Sequence, residues 1–375
     1  MSYDVLGRPL PATLDDLPTP MLVVDLDRLE RNVADLAGAF AAAGVRLRPH
    51  VKTSKCWEVA RRQLAAGAVG FTCSTPAEVA WLQDLGVPDL LWAHLPVGPR
   101  KVEFAVAAAA RGGFTVALDS LDVARPLSAA ATAAGVVVPF VVEVNTGHAR
   151  AGAEPEDVAL RAAELAGLPG LRLRGLMTHE GHLAGKPDRS VRERAGTAVG
   201  TRLGELADRL RAAGYEIDVV SVGSTPGATS APFAAGVTEG RPGTYVYYDA
   251  NQVRLGSATL DRCALTVLTR VVSVQRSGRA IVDAGIKAMS SDAIAAAGSL
   301  GVVCDRALRP VPGVEFPEGN EEHGFLAVGG SAALAVGDLL RVVPNHACGT
   351  TNMWSHVVAA RGDAVVDDWA ISARH

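Results

Sequence analysis

The fold is decided by residues 45–95, which read VRLRPHVKTSKCWEVARRQLAAGAVGFTCSTPAEVAWLQDLGVPDLLWAHL. Short runs rich in β-branched and aromatic residues, typical of strands, alternate here with alanine- and leucine-rich runs, typical of helices, that close on glycine. Strands separated by helices pair in parallel, because a parallel connection needs a crossover. The stretch therefore predicts consecutive βα units of a parallel sheet.

The same alternation continues to the YVYYD segment that ends at Asp249. Before the first of these strands, Leu26 to Gly44 predicts an amphipathic helix. After the seventh strand, the segment STPGATSAPFAAG predicts more loop than helix. Eight strands of this kind favour an α/β fold with a closed (β/α)₈ TIM-like barrel. The predicted strands begin at Val45, Val69, Asp89, Phe114, Val138, Leu171, Asp218 and Gly243.

Beyond Asn251 the pattern changes to strands with Ser-Gly, Gly-Gly and Gly-Asp turn signals and little helix between them. This pattern predicts a mostly antiparallel β domain. We assign residues 18–250 to the barrel and residues 251–375 to the β domain, to which residues 1–17 would contribute an edge strand. The predicted strands lie in ALTVLTRVVSVQ, RAIVDAG, FLAVGG, LLRVVPNHAC and SHVVAARGDAVVDDWAIS.

Composition and charge narrow the classes of partner. A formal net charge of −4 indicates neither the basic surface that binds nucleic acid nor a polybasic face that binds a membrane. Five scattered cysteines, an odd number, argue against a disulfide framework and for a reducing compartment. The N-terminus lacks a basic segment followed by an apolar one, as a signal peptide would have. These features predict a cytoplasmic protein with a small-molecule partner.

The first predicted strand ends in a lysine that has the position of a catalytic group. In barrels of this type, chemistry lies at the C-terminal ends of the strands. Strand alternation would place His50 and Lys52 on the same side, so that both point into the barrel mouth. A lysine that is desolvated there becomes a nucleophile for Schiff-base chemistry. The alternative is a lysine that merely ends a strand at the surface.

Polar residues also follow the later strands. The loop after strand seven, Gly223-Ser224-Thr225, could direct backbone N–H groups and two hydroxyls at an anion. Phosphate sites in this fold commonly follow strands seven and eight. Together with Lys52, the pattern predicts a phosphorylated cofactor bound as an imine. The other candidate cofactor-binding residues are Arg150 after strand five, His179 after strand six and Tyr245 in strand eight.

A second cluster, Asn345 to Asn352, contains His346 and Cys348. On a strand, a His-x-Cys pair would place imidazole and thiolate on one face, and both are suitable zinc ligands. Two protein ligands leave positions for water and substrate, as a catalytic metal requires. The alternative is a buried cysteine beside a partly exposed histidine.

These motifs resemble the fold-type III pyridoxal-phosphate enzymes, in the branch of D-serine dehydratase, D-threo-3-hydroxyaspartate dehydratase and D-threonine aldolase, nearly from end to end. The resemblance implies an alanine racemase-type barrel and a homodimer in which Asp283, Lys287 and the Glu322-His323-Gly324 turn complete the neighbour's site. The motifs are TPMLVVDLDRLERNV, RPHVKTSK, AAGAVGFTCSTPAEV, VEVNTGHARAG, VSVGSTPG, EGRPGTYVYYD, VDAGIKAMSSD and NHACGTTN.

The resemblance also implies roles for the site residues. Lys52 would hold the cofactor covalently and act as the base for the α-proton, and Arg150 would lie near the cofactor's phenolic oxygen. Gly223, Ser224 and Thr225 would bind its phosphate, with Tyr245 as an additional contact. Family aldolases usually carry His-x-Asp where this chain has His346 and Cys348, so the cysteine favours the dehydratases. Many relatives have an aspartate where this chain has Asn145.

The expected enzyme is therefore a lyase that uses pyridoxal phosphate and a divalent metal, Zn²⁺ or alternatively Mn²⁺, Mg²⁺ or Co²⁺. It would convert a D-β-hydroxy amino acid, such as D-serine or D-threo-3-hydroxyaspartate, to a 2-oxo acid and ammonia. The nearest alternative is an aldolase that gives glycine and an aldehyde. A racemase needs a second acid–base group, usually a tyrosine from the β domain, and no tyrosine follows Asn251. A non-catalytic cofactor carrier would resemble the barrel alone.

Overall fold

A computed structural model describes residues 9–186, 188–290 and 298–374 of the 375-residue chain. Two parts of the sequence interpretation lie outside the described residues. One is the first eight residues of the predicted N-terminal edge strand. The other is the end of the VDAGIKAMSSD motif, Ser291 and Asp292.

The first of two sheets has eight strands, and the neighbours along it pair in parallel in the order β2-β9-β8-β7-β6-β5-β4-β3. The edges also meet, because His50 forms a parallel bridge with Thr72 and the Thr72 N–H donates to Pro49 O at 2.8 Å. The predicted barrel is confirmed. Its strands are β2 (Arg46–Leu47), β3 (Phe71–Cys73), β4 (Leu90–Trp92), β5 (Phe114–Leu118), β6 (Val138–Glu143), β7 (Leu171–Met177), β8 (Val219–Val222) and β9 (Glu239–Gly240).

Two barrel strands differ from the prediction. The eighth strand is β9 and not the GTYVYYD run, where Thr244–Val246 forms a 3-10 helix. The first strand, β2, ends at Leu47 and does not continue through Lys52, which lies in a 3-10 helix over Val51–Thr53. Pro49 explains the early end of β2, because proline has no N–H to donate to a strand ladder.

Helices connect the strands, as the alternation predicts. Thr75 begins one of them by accepting a hydrogen bond from the Glu78 N–H, with Pro76 in the first turn, and Gly135 ends another at φ +65°. Between β8 and β9 the described chain has only a 3-10 helix, Ala231–Phe233, as the loop-like STPGATSAPFAAG segment predicts. The helices are α1 (Leu26–Ala42), α2 (Trp57–Ala65), α3 (Pro76–Asp84), α4 (Pro99–Ala110), α5 (Leu121–Ala134), α6 (Val158–Ala166), α7 (Arg189–Ala212), α8 (Ala250–Arg254), α9 (Ile286–Met289) and α10 (Ala347–Met353).

The strands of the barrel bury both apolar and charged side chains. Leu91, Val141 and Met177 belong to one buried apolar cluster. In contrast, Arg48 is buried and bonds Glu239 through Nε at 2.8 Å. Because buried charges are costly unless paired, this ion pair is typical of a charge retained inside a barrel.

The second sheet has nine strands and is antiparallel except where β1 and β16 pair in parallel. The predicted antiparallel β region is confirmed, and sequence reasoning missed β1, β12 and β13. Strand β1 lies within the range predicted for the barrel but belongs to this sheet. The strands are β1 (Met21–Asp25), β10 (Leu265–Arg276), β11 (Arg279–Val282), β12 (Gly301–Cys304), β13 (Val314–Gly319), β14 (Gly324–Val328), β15 (Leu339–Pro344), β16 (His356–Arg361) and β17 (Ala364–Ala370).

The described chain divides into two compact units. One, the β unit, comprises the chain up to Ala34, Thr53–Arg62 and Thr244–Ser372, and the other, the barrel unit, comprises Asp35–Lys52, Gln63–Gly243 and the end from Ala373. The predicted domains, 18–250 and 251–375 with 1–17, have other boundaries and remain a prediction. Of the predicted N-terminal edge strand, the described residues form one isolated bridge to β17, from Thr13 to Ala364. The described helices include none that is long and apolar enough to cross a membrane.

Candidate active site

The turn that carries Lys52 lies at the C-terminal end of the first barrel strand. Its geometry corrects the alternation argument, because His50 and Lys52 do not share a strand. Instead, the Lys52 N–H points at His50 Nδ1 over 3.5 Å, and His50 Nε2 lies 3.2 Å from the Ser74 hydroxyl. The two predicted residues are thus neighbours at the barrel mouth. A turn brings them together, and not the alternation of side chains along a strand.

His50 is kept neutral by its surroundings. Burial lowers its pKa well below the ordinary value, and the positive charges of Lys52, Arg241 and Arg150 lower the pKa further. A histidine surrounded by cations cannot take a proton near neutral pH. The barrel mouth therefore presents positive charge, which favours an anionic ligand.

Arg150 lies in the loop after β6, as predicted. Its side chain is 51% exposed, and its Nη2 lies 3.6 Å from Oε1 of the buried Glu143. Burial raises the pKa of Glu143, although the Arg150 charge partly offsets this effect. Arg150 is thus held at the mouth by one loose ion pair.

His179 and Glu180 follow β7 and contact the loop after β8. The His179 Nδ1 atom lies 2.5 Å from Gly223 O, and burial lowers the pKa of His179 to about 3. Glu180 is fully buried and accepts hydrogen bonds from the Gly223 N–H at 2.8 Å and the Ser224 hydroxyl at 3.1 Å. Burial raises the pKa of Glu180. Sequence reasoning gave Glu180 no role, but its buried carboxylate holds two residues of the predicted phosphate loop.

The predicted phosphate loop, Gly223-Ser224-Thr225, has a buried hydroxyl that could bind an anion. Thr225 is 8% exposed, yet its Oγ1 is a buried oxygen with no hydrogen-bond partner among the described residues. Buried hydroxyls are normally bonded, so this one is suited to a ligand oxygen. A Cβ at Gly227 would lie 2.7 Å from Glu180 Oε1, so the close turn requires glycine there. These residues fit the phosphate of pyridoxal phosphate.

Arg241 is a second residue that sequence reasoning missed. It is 4% exposed and donates to the Ser221 hydroxyl at 2.6 Å and to Thr178 O at 2.7 Å. Burial lowers its pKa, while Glu239 and Glu180 act in the opposite direction. No clear signal in the sequence pointed to Arg241, because the eighth strand was predicted at GTYVYYD and not at Glu239–Gly240.

Two further histidines line the same strand ends. The His148 and His179 rings meet edge to face with centroids 5.2 Å apart. A Cβ at Gly181 would come within 2.8 Å of His148 Cε1. His182 lies against Gly147, and its Nδ1 is buried without a hydrogen-bond partner in the described chain. His148 and His182 therefore border the cofactor-binding candidates.

In the β unit, the His-x-Cys motif does not lie on a strand, which corrects the prediction. Strand β15 ends at Pro344, His346 precedes helix α10, and Cys348 lies in its first turn. The Thr53 Oγ1 is 3.2 Å and the Thr244 Oγ1 is 3.8 Å from the Cys348 sulfur. The segment is also fixed by Asp249, which accepts from the Ala347 N–H at 3.0 Å.

The donor set suits a catalytic metal. Four of the five cysteines are buried and Cys348 is partly exposed. Burial raises the pKa of Cys56 and of Cys304 to about 11, which keeps them as thiols. Within the described ranges no group of three or more His, Cys, Asp or Glu side chains could hold a metal. A pair of protein ligands leaves coordination positions for water and substrate, as catalytic zinc sites require.

Tyr245, predicted as an additional phosphate contact, is fully buried in the 3-10 helix Thr244–Val246 of the β unit. Its contact with the cofactor remains a prediction.

Comparison with known proteins gives two family models and several close relatives. The model of the alanine racemase N-terminal domain matches residues 24–251, and that of the putative serine dehydratase domain matches residues 264–360. The D-threo-3-hydroxyaspartate dehydratase of Delftia sp. (strain HT23) is 38% identical over 378 residues, which cover 95% of this chain and 98% of that protein. The D-threonine aldolase of Arthrobacter sp. is 31% identical and covers 100% of this chain and 99% of that protein.

A solved structure is equally similar. It is a cysteine-to-alanine mutant of D-threo-3-hydroxyaspartate dehydratase in the metal-free form. The TM-score is 0.90 at 36% identity, covering 96% of this chain and 99% of that chain.

Proposed function

Because the chain belongs to the family of pyridoxal-phosphate lyases that join an alanine racemase N-terminal domain to a serine dehydratase domain, we propose that it is a D-β-hydroxy amino acid dehydratase. Its substrates would be amino acids such as D-threo-3-hydroxyaspartate or D-serine, and its products a 2-oxo acid and ammonia. The observation that carries this proposal is the partly exposed Cys348, two residues after His346, where the aldolases of the family usually have an aspartate.

Pyridoxal phosphate would be held by the barrel unit. Lys52 would bind it covalently, the Gly223-Ser224-Thr225 loop would bind its phosphate, and Arg150 would face its phenolic oxygen. Supporting this assignment are the unpartnered hydroxyl of Thr225 and the positive charge around His50. His50 and His179, both neutral, would border the ring. When bound, the cofactor supplies an electron sink that spreads the negative charge left at the α-carbon.

The chain's own groups then move the protons. Lys52 Nζ would remove the α-proton of the substrate, because the lysine that holds the cofactor would lie beside the substrate's α-carbon. His50 and His179 have lowered pKa values, so they would stay neutral and not compete for that proton. Loss of the hydroxyl as water gives an enamine, which tautomerises and hydrolyses to the 2-oxo acid and ammonia.

A divalent metal would be held by His346 and Cys348 in the β unit. When bound, it would supply a Lewis acid that makes the substrate hydroxyl a better leaving group. Imidazole and thiolate favour Zn²⁺, and Mn²⁺, Mg²⁺ or Co²⁺ are the alternatives. Supporting a metal role for the cysteine, the similar cysteine-to-alanine mutant is in the metal-free form.

The assembly proposed is a cytoplasmic homodimer with shared active sites. Lys287 and Glu322, which form an ion pair at 3.0 Å, remain 60% and 62% exposed and so are accessible to a neighbouring subunit. Asp283 is a weaker candidate for that role, because it already accepts hydrogen bonds from the Thr19 and Thr269 hydroxyls.

An aldolase is the second candidate, supported by the 31% identity to a D-threonine aldolase over the whole chain. It would use the same residues but break the Cα–Cβ bond. The products distinguish the two, because only the aldolase releases glycine.

Lys52→Ala tests the shared part of both mechanisms. We expect wild-type protein, loaded with pyridoxal phosphate and reduced with borohydride, to carry the cofactor on the peptide with Lys52. Lys52→Ala should lose this label and all turnover, whereas Lys101→Ala should keep both. Full activity in Lys52→Ala would refute the proposal.

A further inference from the structure

We propose that Asn145 is a positioning residue for Arg150, because its side-chain oxygen holds the loop that brings Arg150 to the barrel mouth. The inference rests on the proposed function, in which Arg150 faces the cofactor. It concerns residues 145–152 of the barrel unit, which follow β6.

The side-chain oxygen of Asn145 is a template for this loop. Asn145 Oδ1 accepts hydrogen bonds from the Gly147 N–H at 3.1 Å and from the Ala149 N–H at 2.9 Å. One acceptor therefore binds two backbone donors of the same loop. Such local bonds from Asn or Asp are a common way to order a turn.

The loop needs this support because its backbone is strained. Ala149 has a φ of +53°, in the left-handed region that residues with a Cβ disfavour. This conformation costs about 1 kcal/mol or more and persists only when the surroundings impose it. The bond to the Ala149 N–H is formed at the strained residue, directly before Arg150.

The amide of Asn145 is itself held in one orientation. Its Nδ2 donates to Glu154 Oε1 at 2.8 Å, so Oδ1 must face the loop. The ends of the loop are closed by the backbone, with the Asn145 N–H donating to Ala153 O at 2.9 Å and the Ala153 N–H to Glu143 O at 2.8 Å. The Asn145 side chain thus shapes the middle of a loop whose ends are already fixed.

Arg150 depends on this shape. Its ion pair with Glu143 is long, at 3.6 Å, and half of its side chain is exposed. Its charge nevertheless acts on both His50 and His179. Without the template, Ala149 would relax to negative φ and the backbone of Arg150 would turn with it.

The chemistry predicts which substitutions work. An aspartate at 145 offers the same acceptor oxygen to Gly147 and Ala149. It replaces the donor to Glu154 by a carboxylate oxygen, and the exposed Glu154 side chain can turn away from that like charge. Alanine offers no acceptor. We therefore expect Asn145→Asp to retain the function and Asn145→Ala to lose it.

The chain offers a matched control. Asp305 Oδ1 accepts from the Ala307 N–H at 2.9 Å and the Arg309 N–H at 3.0 Å, which is the same spacing in a loop of the β unit. Asp305→Ala removes an equivalent turn that carries no predicted cofactor residue. It should lower thermal stability without changing the affinity for pyridoxal phosphate.

The experiment combines amide exchange on cofactor-free protein with cofactor titration. In Asn145→Ala, the Gly147 and Ala149 amides should exchange about 10-fold faster or more. The affinity for pyridoxal phosphate should fall about 10-fold, the scale expected for the loss of one hydrogen bond between charged groups. Asn145→Asp should restore both. In an Arg150→Ala background, Asn145→Ala should cause no further loss of affinity, because its effect passes through Arg150.

Two results would overturn the inference. One is unchanged amide exchange in Asn145→Ala. The other is a loss of affinity that is fully additive with Arg150→Ala. If wild-type protein binds no pyridoxal phosphate, the proposed function fails, and with it the role of Arg150, while faster exchange in Asn145→Ala would still establish the loop template.

Discussion

The hydroxyl of Thr53 lies 3.2 Å from the sulfur of Cys348. Thr53 is fully buried and follows Lys52, the candidate cofactor lysine, in the same 3-10 turn. A hydroxyl that donates to a thiolate stabilises it as a ligand. Partners of this kind change metal affinity by about 10- to 100-fold.

Thr53→Val should therefore weaken zinc binding about 10-fold, because valine keeps the volume and removes the donor. Thr53→Ser should retain most of the affinity. Thr72→Val removes the hydroxyl of another fully buried threonine and is the control for packing. Competition with a chromophoric chelator measures the affinity, and the thiolate-to-metal band of the cobalt-loaded protein should shift in Thr53→Val. Identical affinity and spectrum would show that the contact has no role in binding metal.

Glu180→Gln should weaken the affinity for pyridoxal phosphate about 10-fold. The variant replaces one carboxylate oxygen by an NH₂ group, so either the Gly223 N–H or the Ser224 hydroxyl loses its acceptor. Removing the partner of a buried donor costs about 1–3 kcal/mol. Equilibrium titration of cofactor-free protein checks this expectation, with the thermal midpoint recorded in parallel. An unchanged dissociation constant would mean that the loop is ordered without Glu180.

Thr225→Val should separate stability from binding. Because the Thr225 hydroxyl has no partner in the described chain, its removal should leave the cofactor-free protein as stable or more stable by up to about 1 kcal/mol. The same change should weaken pyridoxal phosphate binding about 10-fold or more, since a hydrogen bond to a charged group contributes about 1.5–3 kcal/mol. A variant that is destabilised yet binds the cofactor normally would contradict the assigned phosphate contact.

His179 should make the stability of the cofactor-free protein depend on pH. An unfolded histidine takes up a proton near its ordinary pKa of about 6.5, whereas native His179 does so at about 3. Between these values the unfolded state binds more protons, so stability falls as the pH is lowered from about 6.5 to 3, by up to about 1.4 kcal/mol per pH unit.

His179→Asn removes this contribution. Denaturant unfolding at pH 7 and pH 5 should show a smaller loss of stability in the variant than in the wild type, by at most about 2 kcal/mol. Equal losses in the two proteins would indicate that His179 has an ordinary pKa.

The fold was largely predictable because its signals are periodic. Alternating strands and helices indicated the barrel, and Gly-rich turns indicated the antiparallel sheet. Strand β1 was missed because Met21–Asp25 runs directly into helix α1, without a turn signal to separate them. The eighth barrel strand was placed too late because GTYVYYD has strand-like residues, whereas the hydrogen bonds to β2 and β8 form at Glu239–Gly240.

Candidate site residues could be named from the sequence where residue type and strand-end position coincide, as at Lys52 and Gly223-Ser224-Thr225, and their roles stay predictions. Arg241 and Glu180 were missed because their roles depend on burial and on partners that come from other strands. The His346–Cys348 motif was noticed for its ligand types, but its local structure was predicted as strand, since strand β15 stops at Pro344 and leaves the motif to begin helix α10.

The most direct test of the dehydratase proposal is to identify the products. Purified protein, loaded with pyridoxal phosphate and zinc, is incubated separately with D-threo-3-hydroxyaspartate, D-serine and D-threonine. We predict a 2-oxo acid and ammonia in equal amounts from at least one of the three, with no glycine. Glycine and an aldehyde as the products would contradict the account and would show that the cysteine at position 348 does not mark a dehydratase.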